Sequence, residues 1–310
     1  FIFSVLDLIL EEKIMGMLEG KVAIVTGAGG GLGECHAKLL AQEGASVVVN
    51  DLGGSRDGSG GGNEMADQVV ADISAAGGKA TAHYGNVTVE EDAKGMVKTA
   101  IDNFGQLDFF IANAGILRDK SFKNMTHDMW DAVINVHLLG TYLTVKAAYD
   151  QMLTQESGGS IVVTSSTSGL LGNFGQCNYG AAKAGIAGFA RCLFQEGLKY
   201  SIRVNVLAPA AWSRMTEDLF PQGQNMEDLL SPAKVSPLVV YLGSDDAKDV
   251  TGRTFLVSVN SVQLLSWQAQ EIATKDNADE PWTVSEIAEA VSENFEHWPK
   301  GIQPTKRPWE

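Results

Sequence analysis

The segment Val22-Ala-Ile-Val-Thr-Gly-Ala-Gly-Gly-Gly-Leu-Gly33 decides the fold of this chain. A short, mostly apolar run leads into clustered glycines, and a helical pattern follows from Leu32 to Glu43. Glycine lets the backbone turn sharply and come close to a ligand. Because the amides at a helix N-terminus attract anions, a strand, such a loop and a helix in this order predict a pyrophosphate site.

Similar apolar runs recur along the chain and alternate with segments of helical periodicity. The runs occupy residues 22–26, 46–50, 79–84, 107–112, 159–165, 202–207 and 254–259. Strands buried on both faces read as continuous apolar runs, and their alternation with helices is typical of a parallel sheet covered on both sides. The sequence therefore predicts the α/β class, with a doubly wound, seven-stranded parallel sheet (a Rossmann fold) in a single domain followed by a C-terminal tail.

The domain is expected to span residues 17–263. Residues 1–16 are interpreted as an N-terminal extension, with an amphipathic packing helix as the alternative, since the apolar stretch Phe1–Leu10 is interrupted by a charge and too short to cross a bilayer. Residues 264–310 form the tail, in which Val284–Phe295 predicts one amphipathic helix capped by Thr283 or Ser285.

The composition limits the partners. The 310 residues carry a net charge of −15, which argues against nucleic acid and against an anionic membrane. The three cysteines, Cys35, Cys177 and Cys192, fit neither a metal nor a redox pattern. We therefore expect reduced thiols, a cytoplasmic location and no bound metal.

Asp51 lies 20 residues after Gly31, at the end of the second predicted strand. A carboxylate at this place accepts hydrogen bonds from the adenosine ribose and repels a 2′-phosphate. No arginine lies in the glycine loop or directly after Asp51, the next one being Arg56. These features favour NAD over NADP as the cofactor.

Tyr179 and Lys183 stand four residues apart in the sequence, which places them on one face of a predicted helix. A nearby ammonium group favours the phenolate, so we expect the pKa of Tyr179 to lie below its usual value. A phenol of lowered pKa is a usable general acid or base near neutral pH. The pair alone does not identify an active site, because the same spacing of Tyr and Lys also occurs on solvated helix faces.

Taken together, these motifs resemble the short-chain dehydrogenase/reductase family. The resemblance covers about residues 18–260 and rests on Thr26–Gly33, Asn113-Ala-Gly115, and Ser166 thirteen residues before Tyr179-x-x-x-Lys183. It implies that Tyr179 is the general acid/base, that Ser166 binds the same substrate oxygen, and that Lys183 holds the nicotinamide ribose. The cofactor-binding residues implied are Gly27, Gly31, Leu32, Gly33, Asp51, Asn86, Val87, Asn113, Ala114, Gly115, Tyr179, Lys183 and Pro209.

Three positions, His137, Ala210 and Trp212, depart from the family pattern. Many members have Asn-Leu-x-Gly on the central helix, whose asparagine holds a relay water; this chain has His137-Leu-Leu-Gly140. His137 is either a fourth catalytic residue that holds the water or a packed helix residue. Trp212 replaces a small branched residue near the nicotinamide, and Pro209-Ala210 replaces Pro-Gly.

Further stretches narrow the resemblance to one group within the family. They resemble the (3R)-hydroxyacyl-CoA dehydrogenase region of peroxisomal type 2 multifunctional enzymes, which are also known as 17β-hydroxysteroid dehydrogenases. The stretches are Val49–Gly54 with the Gly/Ser insertion after it, Gly115–Asp119 together with Val136–Leu138, and Ser213–Thr216. The fused hydratase and lipid-carrier regions are not part of this sequence, so we expect a stand-alone enzyme. Trp212, Phe174 and Met215 are candidate substrate residues.

The sequence thus predicts an NAD-dependent oxidoreductase that interconverts a secondary alcohol and a ketone, in which a small molecule, a 3-hydroxyacyl-CoA or a hydroxysteroid, is the substrate. An NADPH-dependent carbonyl reductase and a non-catalytic cofactor-binding regulator are the alternatives. A homodimer or homotetramer is expected.

Overall fold

The computed structural model describes residues 16–211, 226–269, 271–275 and 279–294. The strands are β1 Val22–Thr26, β2 Ser46–Asn50, β3 Lys79–His83, β4 Phe109–Ala112, β5 Gly159–Thr164, β6 Ile202–Ala210, β7 Thr254–Ser258 and β8 Ser261–Leu265. The α-helices are α1 Gly31–Gln42, α2 Glu64–Ala75, α3 Glu90–Phe104, α4 His127–Ile134, α5 Gly140–Gln155, α6 Thr167–Leu170, α7 Cys177–Gly197, α8 Met226–Leu229, α9 Ser236–Gly243 and α10 Val284–Asn294. In the described ranges no helix is both long and apolar enough to cross a membrane.

The strands form one sheet in the order β3-β2-β1-β4-β5-β6-β7-β8. All neighbouring pairs from β3 to β7 are parallel, which confirms the predicted doubly wound α/β architecture. The chain leaves the β1–β2–β3 half of the sheet and returns beside β1 as β4. In such sheets a crevice opens outside the carboxyl ends of the strands where the winding direction changes. The site is therefore expected beyond the ends of β1 and β4.

Two hydrophobic clusters cover the two faces of the sheet. Successive side chains of a strand point to opposite faces: Ile24 of β1 packs with Phe110 and Met96 in one cluster, whereas Val25 packs with Leu40 in the other. All of these side chains are fully buried. This explains why the parallel strands read as continuous apolar runs.

The sheet has eight strands, so the predicted number of seven is wrong by one. β8 pairs antiparallel with β7 through a tight turn. Val259 in this turn has a φ of 53°, in the left-handed region that hairpin turns normally fill with glycine or asparagine. Val262 and Leu264 on β8 are each 57% exposed. Neither a turn signature nor a buried strand pattern therefore marks this edge strand.

The helical periodicity of residues 126–152 predicts one long helix, but in the structure this helix is interrupted. α4 begins after Thr126, whose hydroxyl accepts a hydrogen bond from the Met129 amide at 3.3 Å. A π-helical turn over Asn135–Leu139 then joins α4 to α5. Such turns are rare and often lie at functional sites. The π turn contains His137.

The helical periodicity of the sequence begins at Ala181, but helix α7 begins four residues earlier, at Cys177. Tyr179 and Lys183 consequently lie in its first two turns, next to the ends of the strands. In the tail, α10 confirms the predicted amphipathic helix. Thr283 caps it, since its hydroxyl accepts from the Glu286 amide at 3.3 Å and the Glu286 carboxylate accepts from the Thr283 amide at 2.7 Å.

Candidate active site

The glycine loop joins β1 to α1, and two of its glycines adopt angles that other residues rarely take. Gly27 has a φ of 64° and Gly31 a φ of 57°. Gly33 is needed for close packing, because a Cβ there would lie 2.1 Å from the Gly27 carbonyl oxygen. Gly30, Gly31 and Leu32 line a cleft at the N-terminus of α1, where amides and the helix dipole favour an anion.

Asn113 fastens the end of β4 to this loop. Its side-chain Nδ2 donates to the carbonyl oxygens of Thr26 and Gly27, at 3.0 and 3.2 Å. The Thr26 hydroxyl in turn accepts from the amides of Asn113 and Ala114, at 2.9 and 3.1 Å. These contacts hold the ends of β1 and β4 together at the point where the crevice opens.

Asp51 is fixed at the end of β2 by two backbone amides. Oδ2 accepts from Gly29 at 2.8 Å and Oδ1 from Gly53 at 2.7 Å. Each carboxylate oxygen keeps acceptor capacity for a further donor. The carboxylate lines the same cleft as the glycine loop and places a negative charge there.

Asn86 and Val87 follow β3 and also line the cleft. The Asn86 Oδ1 accepts from the Thr88 amide at 3.0 Å and from the Thr88 hydroxyl at 2.9 Å. The Asn86 amide donates to Asp92 at 2.8 Å. This turn holds both residues beside the glycine loop.

A single cleft of about 750 Å³ brings most of the predicted site together. This volume suits a cofactor or drug-sized ligand. The predicted residues that line it are Gly27, Gly31, Leu32, Asp51, Asn86, Val87, Asn113, Ala114, Gly115, His137, Ser166, Tyr179, Lys183 and Pro209. Gly33 lies behind the wall and permits its close packing. A loop without side-chain bulk, a helix N-terminus and a fixed carboxylate together fit a dinucleotide.

Ser166 stands just after β5 and caps α6. Its hydroxyl accepts from the Ser168 amide at 3.2 Å, and it also forms a side-chain hydrogen bond with Tyr179. The side chain is 8% exposed. The two hydroxyl groups are thus close enough to contact one substrate oxygen.

Lys183 is buried beneath the Tyr179 ring. Its Nζ lies 5.6 Å from the ring centroid and donates to the Thr164 carbonyl oxygen at 2.6 Å. Lys183 is 3% exposed. The predicted placement of the pair on one helix face holds, with the ammonium anchored to the end of β5.

Burial, however, sets the pKa values of this pair. It raises the pKa of Tyr179 to about 12; the hydrogen bond with Ser166 acts in the opposite direction, and the charge of Asp119 adds to the rise. Burial also lowers the pKa of Lys183 to about 7. The expectation that Lys183 brings the pKa of Tyr179 below its usual value is wrong for the protein alone, because removing the phenolate from water outweighs attraction to a lysine that is itself desolvated.

His137 is fully buried and packs edge-on against Tyr179, with the ring centroids 5.1 Å apart. Its Nε2 lies 2.7 Å from the Ile116 carbonyl oxygen and 3.1 Å from the Ile116 amide nitrogen. Nε2 donates to the carbonyl oxygen in the tautomer that carries the proton on Nε2, and accepts from the amide in the other tautomer. Burial lowers the pKa of His137 to about 3, so the ring is neutral. In the described part of the chain, Nδ1 is buried without a hydrogen-bond partner.

Of the candidate substrate residues, Phe174 lies in the described part of the chain, and it is not assembled with this group. Phe174 is 89% exposed, so its side chain points into solvent instead of forming a buried pocket wall as expected. Glycines on both sides of it, Gly172 and Gly175, adopt positive φ angles of 90° and 78° and turn this segment outward. Trp212 and Met215 lie outside the described residues.

Four polar residues near the site are not among the residues that the sequence predicts for it: Asp119, Ser168, Gln176 and Asn178. Asn178 is fully buried and donates to the carbonyl oxygens of Arg118 and Met129, at 3.0 and 3.1 Å. Its Oδ1 accepts from the Tyr179 amide at 2.8 Å. Adjacency to Tyr179 was the one sequence feature that pointed to Asn178.

Comparison with known proteins places this geometry in a family. Residues 21–222 match the family model for short chain dehydrogenases. The chain belongs to this family. Tyr179, Lys183, Ser166 and the glycine loop all lie within the matched range, so this oxidoreductase has the cleft of a short-chain dehydrogenase at the expected edge of its sheet.

Two relatives bear on the subfamily. Peroxisomal multifunctional enzyme type 2 of Mus musculus is 44% identical over 90% of this chain, but the chain spans only 36% of that enzyme's length. This similarity confirms the resemblance that the sequence motifs indicate. Hydroxyacyl-CoA dehydrogenase ChsB1 of Mycobacterium tuberculosis is 41% identical to this chain, and the match covers 80% of each of the two chains.

Two solved structures agree in fold. A short chain dehydrogenase from Mycobacterium avium has a TM-score of 0.80 at 40% identity, with 93% of this chain and 98% of that chain covered. Carveol dehydrogenase from Mycobacterium avium, in complex with NAD, has a TM-score of 0.71 at 28% identity, with 78% of this chain and 97% of that chain covered.

Proposed function

We propose that this short-chain dehydrogenase uses NAD to oxidise the secondary alcohol of a 3-hydroxyacyl-CoA to a ketone. The observation that carries the proposal is that Ser166, Tyr179 and Lys183 line the same cleft as Asp51 and the glycine loop. The similarity to a hydroxyacyl-CoA dehydrogenase supports the substrate class.

Asp51 supports the choice of cofactor. Its two oxygens are held by the Gly29 and Gly53 amides, so the carboxylate cannot swing away from a ribose bound beside it. It would accept hydrogen bonds from free ribose hydroxyls and repel a 2′-phosphate. The NAD bound to the similar carveol dehydrogenase structure agrees with this preference.

The bound nicotinamide would supply hydride transfer; the protein moves the proton. Tyr179 takes the proton of the substrate alcohol, and the Ser166 hydroxyl hydrogen-bonds the same oxygen as charge develops on it. Because burial raises the pKa of Tyr179 to about 12, the phenol is protonated in the free enzyme. Oxidation therefore needs a positive charge near the Tyr179 ring to lower the pKa of the phenol. The rate of oxidation is expected to increase as the pH rises, because more of Tyr179 is then ionised.

His137 supports a route for the proton away from Tyr179. We place the ring proton on Nε2, where the Ile116 carbonyl oxygen 2.7 Å away accepts it, and this tautomer leaves Nδ1 as an acceptor. An acceptor without a partner inside the described structure suits a water molecule. We include His137 in the catalytic group as the residue that holds this water.

The substrate phosphates would meet positive charge at one end of the cleft. Arg56 lines it, and Arg118 donates from Nε to the Asp57 carbonyl oxygen at 3.0 Å, which draws its guanidinium toward the same loop. These two cations offset locally the net charge of −15. A homodimer or homotetramer in the cytoplasm stays our prediction for the assembly.

The test is NADH formation, measured with 3-hydroxyacyl-CoA, a 17β-hydroxysteroid and simple secondary alcohols, and with NADP in place of NAD. We expect the fastest turnover with 3-hydroxyacyl-CoA and NAD, and a loss of about 10²-fold or more in kcat for Tyr179→Phe. Tyr142→Phe removes the same hydroxyl from a residue that is 47% exposed and serves as the matched control. A preference for NADP, or full activity of Tyr179→Phe, would contradict the proposal.

A further inference from the structure

A polar network beside the catalytic group joins three segments of the cleft wall. The Asp119 carboxylate, on the loop after β4, accepts from Gln176 Nε2 at 2.6 Å. The Gln176 Oε1 accepts from the Ser168 hydroxyl at 2.7 Å and from Asn173 Nδ2 at 3.0 Å. Gln176 is 5% exposed, so these bonds form away from bulk water, where they are stronger.

Both neighbours of Asp119 are also tied to the beginning of α7. The Arg118 carbonyl oxygen accepts from Asn178 Nδ2 at 3.0 Å, and the Lys120 amide donates to the Gly175 carbonyl oxygen at 3.0 Å. The backbone on each side of Asp119 is thus fixed relative to the helix that carries Tyr179. The carboxylate cannot move away without breaking contacts at both ends.

The network ends at the Ser166 hydroxyl and, through the neighbouring Asn178, at the backbone of Tyr179. Ser168 donates its amide to the Ser166 hydroxyl at 3.2 Å, and Asn178 accepts from the Tyr179 amide at 2.8 Å. Ser166 and Tyr179 belong to different segments, α6 and α7, and the Ser168–Gln176–Asp119 chain bridges them. A displacement of Asp119 would therefore be felt at the Ser166 hydroxyl and at the first turn of α7, which carries Tyr179.

Asp119 occupies this place at a cost to stability. Its second oxygen, Oδ1, is buried and accepts no hydrogen bond in the part of the chain that the structure describes. Burial raises the pKa of Asp119, opposed by the Gln176 hydrogen bond and by Arg56. An incompletely satisfied buried carboxylate destabilises a fold, and such costs concentrate at functional sites.

We propose that Asp119, held by Gln176, is a positioning residue that orders the Ser166 hydroxyl and the first turn of α7, which carries Tyr179, and places a negative charge near the phenol. The inference rests on the proposed function. The other titratable groups at Tyr179 are Lys183 below the ring and the neutral His137 at its edge. Asp119 thus supplies the anionic side of the phenol's surroundings.

The first experiment compares the pH dependence of kcat/KM for alcohol oxidation in wild type and Asp119→Asn. Asparagine can still accept from Gln176 but lacks the charge, so the phenolate forms at lower pH. At a fixed pH below the kinetic pKa, the variant should be faster by roughly three- to tenfold. Asp119→Glu keeps the charge and should restore the wild-type profile. Asp128→Asn removes a charge from an exposed residue and is the matched control.

The second experiment breaks the network without changing any charge. Gln176→Leu should lower kcat about tenfold with little change in KM, because the substrate still binds but the hydroxyl groups are misaligned. A profile of Asp119→Asn that superimposes on wild type would overturn the inference. So would a rise in KM at constant kcat in Asp119→Asn, since Asp119 would then be a substrate ligand.

A third measurement needs no turnover and separates this inference from the proposed function. The NAD-saturated protein carries tyrosines labelled with carbon-13 at Cζ, and Tyr179→Phe assigns the Tyr179 resonance. In Asp119→Asn this resonance should titrate at lower pH than in wild type, and an unchanged titration would refute the role of Asp119. If wild type fails to oxidise 3-hydroxyacyl-CoA, the proposed function falls while this titration still decides on Asp119.

Discussion

Replacing Lys183 by methionine is expected to stabilise the folded protein at neutral and acidic pH while it removes most activity. The lysine is 3% exposed, and burial lowers its pKa from 10.5 to about 7. The difference, 10.5 − 7 = 3.5 units, corresponds to about 5 kcal/mol of unfavourable free energy for the buried ammonium. Loss of the hydrogen bond to the Thr164 carbonyl oxygen costs about 1–3 kcal/mol. The net gain in the free energy of unfolding is therefore about 2–4 kcal/mol.

The sign of the pH dependence follows from proton binding. Between about pH 7 and pH 10.5 the unfolded chain carries the Lys183 proton and the folded chain does not. The wild-type free energy of unfolding thus gains about 1.4 kcal/mol per pH unit from this group as the pH rises through that window. The Lys183→Met variant lacks this contribution. Its advantage should be full below about pH 7 and should vanish, then reverse, toward pH 10.5.

The assay is urea unfolding of both proteins without added dinucleotide, followed by tryptophan fluorescence at about pH 6, 7.5 and 9. Lys248→Met, at an exposed lysine, is the control and should show no such trend. If the difference in the free energy of unfolding between wild type and Lys183→Met is the same at all three pH values, the reasoning is refuted, because the lysine would then carry no desolvated charge.

Three further substitutions follow from the cofactor side of the cleft. Asp51→Ser should lower kcat/KM with NAD by roughly 10–100-fold through lost charge-assisted hydrogen bonds and raise it with NADP, both measured in steady-state assays. Gly33→Ala places a Cβ 2.1 Å from a loop carbonyl and should weaken NADH binding more than about tenfold in a fluorescence titration; Gly188→Ala, whose Cβ has no contact closer than 3.7 Å, should bind normally. Gly115→Ala places its Cβ 2.2 Å from the buried His137 ring and should cost about 1–3 kcal/mol in urea unfolding; unchanged stability would mean that the ring is free to move.

The parallel sheet is predictable because burial on both faces makes each strand a continuous apolar run in the sequence. Residues that act directly after a strand, such as Asp51 and Asn113, are predictable for a related reason: parallel strands end at one edge of the sheet, so their following residues converge. The β7–β8 hairpin is not predictable in this way. Val259 occupies a turn position that normally needs glycine, and the side chains of β8 are exposed, so neither the turn nor the strand shows a typical sequence pattern.

Two properties of the site depend on tertiary structure and could not be derived from local sequence. Asp119 and Gln176 are 57 residues apart in the chain, and no local pattern pairs them. The spacing of Tyr179 and Lys183 predicts their proximity correctly, but burial reverses the expected direction of the tyrosine pKa. Spacing reports which groups meet, whereas desolvation depends on everything packed around them.

Because of the π-helical turn over Asn135–Leu139, the active site depends on the exact number of residues in the middle of a helix. A π turn holds one residue more than an α-helical turn. Deleting one residue here would restore regular α-helix and close the widened turn that holds His137 in place. His137 and its contact with Ile116 would then separate from Tyr179. A single-residue deletion in this turn should therefore damage the site more than a deletion in the exposed Gly/Ser segment after Asp51.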